Sequence, residues 1–432
     1  MFFIITNIIL SLLVYSYMKR TSNSITPFQF MVILTYLSYL MLPVLSGYEI
    51  NYVNDSEYYV FILGTLLSFL IIAFYVKKSK LNTNLLDFKS FVFRLNNISL
   101  RSYYFLVFLF LFIVYYFYAQ YGVLFRLAVG ETAKESSLYG VLFSTFLLPL
   151  LYLILSVSLV KIITINHIGH KLLIASVLIF IFMFLLFTGR RDFILGLFFV
   201  FFIVSIVKKV DFYQVKHIPV VLTFLMIVVL GSNIYQSIRF STWMIVDNPG
   251  LFFNTFDFWE AAFDFDNTET NLTVRTTALD FNLFLVNQYI FELKAPTFGA
   301  GIWQELVNSI PSILLPFKEY VNWDTLIAEH LRIREDDFPT TIIGQLIADF
   351  WLLGFFFYSL VILVYLKISL WFLNTLRNSL LMYSVIYVLL VYSISNIEGS
   401  LGGLIVSLRT MLFFVFVYLT MQFIKQRIRL KL

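Results

Sequence analysis

Arginine is the side chain with the most to say about chemistry in this sequence. Arg190 and Arg191 stand together in "TGRRDF", between two long apolar runs, and Arg239, Arg275, Arg332 and Arg334 fall in one polar-aromatic interval. Arg409 lies inside the last apolar run, "EGSLGGLIVSLRTMLFFVF". A guanidinium offers a planar fork of donors that fits phosphate oxygens and keeps its charge when desolvated. Several of them around one hollow would bind a diphosphate at a membrane surface. An unpaired charge at membrane depth costs about 2.5–3.5 kcal/mol or more, and such residues are functional by default. For Arg409 a second reading stays open, in which it pairs with an acid such as Glu398 or Asp349. The opening arginines have one too, as side chains snorkelling to the headgroups.

Proton transfer needs a base. Asp257, Glu260, Asp264, Asp266, Glu269, Asp280, Asp336 and Asp337 share the interval with His330 in "AEHLRIREDD". Spacing does not choose among the acids, and a lone histidine on a helix also serves as a structural hydrogen-bonding group. The sequence gives no strong metal site: there is no paired His/Glu spacing and no calcium loop, with "EDD" at 335–337 as a weak candidate. An arginine cluster neutralises a diphosphate without a cation. With no cysteine in the chain, disulfide and thiol chemistry are excluded.

These side chains must be positioned by membrane spans. The chain is 60% hydrophobic and 13% charged, with a mean hydropathy of +0.88, whereas soluble chains carry about 25% charged residues. Apolar runs of about 20 residues indicate an all-α integral membrane protein rather than an outer-membrane barrel. Eleven spans are expected, near 2–18, 27–46, 58–76, 102–119, 140–163, 172–188, 192–207, 217–235, 345–366, 379–395 and 403–423. The first lacks the basic start and cleavage site of a signal peptide. Lys19/Arg20, Lys77/Lys78/Lys80, Lys89, Arg94, Arg101, Lys161, Lys171, Lys208/Lys209, Lys216, Lys367, Arg377 and the tail "KQRIRLKL" then fall on one side, which the positive-inside rule makes cytoplasmic. Arg190, Arg191 and the long interval face outward. The domain plan is therefore eight spans over 1–235, an external loop over 236–344, and three spans with a cytoplasmic tail over 345–432.

That loop is too long for a structureless connection. Its aromatic content, and Pro296, Pro311, Pro316 and Pro339, predict short amphipathic helices lying on or capping the bundle. Trp243, Trp259, Trp303 and Trp323 fit either sugar stacking or an interfacial belt.

The order of these features resembles the bacterial O-antigen polymerases, the Wzy family. "TGRRDFILGL" is similar to the family's Thr-Gly-x-Arg turn and "SLRTMLFF" to its last-span arginine. Pro296, Gly299, Ile310–Pro311, Pro316, Lys318, Pro339, Thr340, Thr341 and Gly354 follow its loose proline and glycine pattern. "RFSTWMIVDNPG", from Arg239 to Gly250, fits an Arg-x10-Gly spacing; Arg334 to Gly344 is one residue short of a second.

The resemblance implies a multi-spanning, GT-C-like glycosyltransferase of the bacterial inner membrane, metal-independent and without cofactor. Its substrates would be oligosaccharides on undecaprenyl diphosphate. A growing glycan would move onto the non-reducing end of a lipid-linked repeat unit at the periplasmic face. Arg190, Arg191, Arg239, Arg275, Arg332, Arg334 and Arg409 would bind diphosphate, with Arg239, Arg275, His330 and Asp336 at the reacting centre. Partners would be membrane lipid and a chain-length regulator, not nucleic acid. An O-antigen ligase or a flippase of the same lipid-linked sugar is the alternative. Dissimilar halves and one dominant external loop favour an enzyme over a transporter.

Overall fold

The structure, a computed structural model, describes residues 55–78, 85–121, 147–188, 190–209, 279–310, 321, 323–333, 341–395 and 399–429, with a few isolated positions elsewhere. Every regular element among them is helical. In chain order these are α1 (Asp55–Lys78), α2 (Phe88–Asn96), α3 (Leu100–Tyr121), α4 (Leu148–Thr164), α5 (Ile168–Thr188), α6 (Arg190–Val207), α7 (Ala300–Ser309), α8 (Trp323–Leu331), α9 (Ile342–Phe350), α10 (Gly354–Thr375), α11 (Leu380–Ser395) and α12 (Leu401–Arg429). Residues 279–286 are also helical and widen into a π-turn at Asn287–Phe291.

Four stretches are long and apolar enough to cross a bilayer: Asp55–Val76, Ile168–Leu185, Ile342–Thr375 and Leu401–Lys425. A fifth is added if α2 and α3, bent by 100° at their junction, make one broken span. Leu148–Thr164, Asp192–Val207 and Leu380–Ser395 are shorter apolar helices. Apolar helices thus stand where eight of the spans are expected (58–76, 102–119, 140–163, 172–188, 192–207, 345–366, 379–395, 403–423); the spans at 2–18, 27–46 and 217–235 lie essentially outside the described residues. Among the described residues the chain is all-helical, with several helices apolar and long enough for a multi-pass membrane protein.

One expected span is corrected. Residues 345–366 do not form one rod, because Trp351 takes a left-handed φ of 53° and ends α9. A continuous helix over Ile342–Thr375, 34 residues, would be about 51 Å long, well beyond a hydrocarbon core of about 30 Å. After the break, Gly354 lies directly on the Leu346 carbonyl group, with Ile347 N 2.6 Å from the point where a Cβ would be. Residues eight apart in a straight helix stand about 12 Å apart, so the chain folds back and α9 packs along α10. The 22 residues of α10, about 33 Å, suffice to span alone. α9 belongs to the material beside the span, with Ile342 to Asp349 all buried.

The chain divides into two compact units. The first holds α1, residues 279–333, α9, α10 and α12, with the second half of α11. Its spans interlock through small polar groups. Ser68 Oγ donates to the Phe355 carbonyl at 2.7 Å, Ser359 Oγ to the Ser68 carbonyl at 3.2 Å, and the Tyr365 and Ser407 hydroxyls meet at 3.0 Å. The second holds α2 to α6 and the start of α11. There Lys161 Nζ donates to the Asn96 carbonyl at the end of α2, at 2.7 Å, and Phe91 stacks on Tyr387 with centroids 4.3 Å apart.

Candidate functional site

The densest polar arrangement among the described residues surrounds α7, in the first unit. α7 has ten residues, about 15 Å, and each end carries orphan backbone groups. At its start Gly299 adopts φ 85°, turning the chain into the helix. The exposed amides are met by a carboxylate from α9. Asp349 Oδ1 accepts from the Gly301 amide at 3.2 Å and from the Thr297 hydroxyl, and Oδ2 accepts from the Ile302 amide at 3.1 Å. Asp349 is fully buried, and a negative charge at the positive end of a helix dipole is favourable there.

At the other end, Arg409 of α12 donates from Nη1 to the carbonyl of Ser309, the last residue of α7, at 2.6 Å. This is the complementary arrangement, a cation on the negative end of the dipole. Between the caps, Glu305 accepts from Gln345 Nε2 at 3.2 Å and from Ser400, while Gln345 Oε1 accepts from the Leu401 amide at 2.8 Å. Three elements, α7, α9 and α12, are tied by one side-chain relay. Burial pushes the Glu305 carboxyl above the ordinary carboxylate range, against the opposing pull of the Gln345 and Ser400 hydrogen bonds.

The Asp349 reading of Arg409 is replaced: Asp349 is engaged by the start of α7 and Arg409 by its end. Glu398 lies outside the described residues. Among the described residues Arg409 has no carboxylate partner, and one donor of its fork is used.

His330 lies in the last turn of α8, exposed, with Nε2 2.8 Å from the Ala295 carbonyl. A carbonyl only accepts, so Nε2 carries the proton and a neutral ring presents its lone pair at Nδ1. The ring stacks on Tyr289, 10° from parallel. Arg332, two residues on, is exposed with φ 55°. Ala295 precedes α7, whereas Arg409 holds its far end. His330 is thus tied to the segment before α7 and Arg409 to the last residue of α7.

Arg190 and Arg191 open the first turn of α6, in the second unit. Arg239, Arg275, Arg334 and Asp336 lie outside the described residues, as do Trp243, Trp259 and Lys318. Trp303 is exposed on α7, while Trp323 is buried against Gly301 and meets Phe281 edge-on. Among the described residues no group of three or more His, Cys, Asp or Glu is arranged to hold a metal ion.

Glu305 is a site residue that the sequence does not single out, and Asp349, one of two acids offered as an alternative partner for Arg409, instead meets the start of α7. The signal for the second was "TFGAG", Thr297 to Gly301: a threonine and two glycines at a helix start mark backbone approached closely by an acceptor. Nothing in spacing marks Glu305.

Compared with protein-family models, curated proteins and solved structures, the chain matches none.

Proposed function

We propose that this chain is a glycosyltransferase of the bacterial inner membrane that polymerises a surface polysaccharide, moving a glycan from undecaprenyl diphosphate onto a lipid-linked repeat unit at the periplasmic face. The observation that carries the reading is Arg409. It is a cation inside a long apolar helix, fixed by one backbone carbonyl, with no carboxylate partner among the described residues. A lipid-borne diphosphate supplies the missing charge and the acceptor oxygens that the rest of the fork fits. The resemblance of "TGRRDFILGL", "SLRTMLFF" and the proline-glycine series to the O-antigen polymerases supports the same donor class and a GT-C-like architecture.

In this reading Arg409 stabilises the departing diphosphate as negative charge builds on it. The anomeric carbon lies one bond from that diphosphate, so the base for the acceptor hydroxyl works within a few ångströms of it. His330, tied to the Ala295 carbonyl, is one candidate for this base. A base near Arg409 comes from Glu305, one turn before Ser309, or from the loop acids such as Asp336. Arg190, Arg191, Arg239, Arg275, Arg332 and Arg334 serve a second lipid diphosphate or the polar glycan, and a chain-length regulator is a fitting partner.

The test is purified protein in proteoliposomes with a lipid-diphosphate repeat unit, read as a ladder of products on a gel. Arg409→Lys keeps the charge and loses the fork, and is expected to slow chain growth at least about tenfold. Absence of a ladder with transfer of intact lipid between leaflets replaces the reading with a transporter. A Lys variant of wild-type rate removes Arg409 from the site.

A further inference from the structure

An amphipathic helix on a water-soluble protein turns its polar side outward. α7 does the reverse. Its single charged residue, Glu305, is bonded inward to Gln345 and Ser400. Gly301 and Ser309 are buried, and Asn308 Nδ2 donates to the Val321 carbonyl at 2.8 Å. The outward side carries Trp303, 68% exposed, Leu306, 42%, and Ile310 just past the helix end, 39%. The spacing of three and then four residues puts these on one stripe.

The apolar surface continues beyond the helix. Phe298, 75% exposed, precedes α7 and meets the Trp351 ring with centroids 6.2 Å apart. Trp351 spends its indole N–H on the Lys294 carbonyl at 2.8 Å, and exposed Leu352 and Leu353 follow. The next residue, Gly354, begins α10, a helix long enough to cross a bilayer by itself. Three large apolar residues here, Leu293, Phe298 and Trp351, hold left-handed backbone. Such conformations cost of order 1–3 kcal/mol each where the surroundings enforce them, and all three side chains are turned outward.

We propose that α7 lies in the membrane plane with the stripe Trp303–Leu306–Ile310 against phospholipid acyl chains, and that Phe298 and Trp351–Leu353 carry this contact to the end of α10. Length, polarity and continuity all argue for lipid. At about 15 Å the helix is too short to cross. Its polar groups are satisfied by protein, as a lipid-facing backbone requires. The exposed stripe joins a surface that a span must place at the bilayer boundary, where tryptophan is favoured. This inference is independent of the proposed chemistry.

The absence of cysteine makes the test direct. Trp303→Cys, Leu306→Cys and Phe298→Cys each replace an exposed side chain and take a nitroxide label without background. Glu329→Cys, exposed on α8, is the aqueous control. In proteoliposomes of phosphatidylethanolamine and phosphatidylglycerol, labels at 298, 303 and 306 are expected to collide with oxygen in preference to a water-soluble nickel chelate, and the label at 329 to show the opposite order. Nickel preference at 303 and 306 means water and overturns the proposal. Low access to both reagents means that protein covers the stripe, a second copy if spin–spin broadening accompanies it, and overturns the proposal equally.

Discussion

At the scale of residues, the unit of function is a charge together with the backbone group that fixes it. Asp349 and Arg409 act on opposite ends of one short helix, and each end would otherwise leave polar groups buried without partners. The fit at the acidic end is close. A Cβ at Gly301 would stand 2.9 Å from Trp323 Nε1 and 3.1 Å from Asp349 Oδ1. Gly301→Ala therefore forces the indole or the carboxylate aside, and overpacking of this kind costs about 1–3 kcal/mol. Thermal unfolding in detergent is expected to show a lowered midpoint for Gly301→Ala. A midpoint equal to the wild type would mean that the indole yields freely and that the amides of α7 are not pinned by this contact.

At the scale of elements, the fold-back of α9 on α10 and the relay through Glu305 decide where the charges stand. Gly354 has its carbon against backbone atoms of Leu346 and Ile347, which cannot rotate away as a side chain can. Gly354→Ala is expected to destabilise by at least the 1–3 kcal/mol typical of overpacking and to open the hairpin, seen as new protease cleavage near Trp351. The Glu305 relay carries a pH signature. Its carboxyl has a raised affinity for the proton in the folded state, so its contribution to stability is fully present below the unfolded carboxylate's range and is lost as pH rises through the folded value. Wild-type protein is thus expected to lose part of its α7 anchoring as the pH is raised above the ordinary carboxylate range. Glu305→Gln removes that slope, and an unchanged slope in the variant would assign the titration elsewhere. Little of this was legible beforehand. Hydropathy located the apolar helices because burial in lipid demands long uniform runs. The same uniformity hid the break, since "IADFWLLGFFF" reads as one span and only Gly354 interrupts it. Lysine and arginine could be assigned to a membrane side, but not to the carbonyl or carboxylate that would meet them, because tertiary partners leave no periodic trace in one chain.

At the scale of the whole molecule, charge asymmetry and function make one claim, that the region around α7 faces the compartment opposite to the basic loops. Moving Lys or Arg residues across a bilayer during insertion is disfavoured, so clusters such as Lys208/Lys209 and the turn at His167–Lys171 are expected on the cytoplasmic side. Single cysteines turn this into a measurement. His167→Cys and Lys208→Cys, both at exposed positions, are expected to react with a membrane-impermeant maleimide only after permeabilisation. Glu329→Cys, beside His330, is expected to react in spheroplasts left intact. Polymerisation of a lipid-linked glycan outside the cytoplasm requires the Arg409 end of α7 to lie on that outer side as well. Labelling at 329 only after permeabilisation would put α8 in the cytoplasm, shift the parity of the spans by one, and detach the arginine chemistry from an external lipid-linked substrate. Labelling of all three in intact spheroplasts would mean that the basic clusters do not set orientation here, and the assignment of sides would have to be rebuilt from the labelling alone.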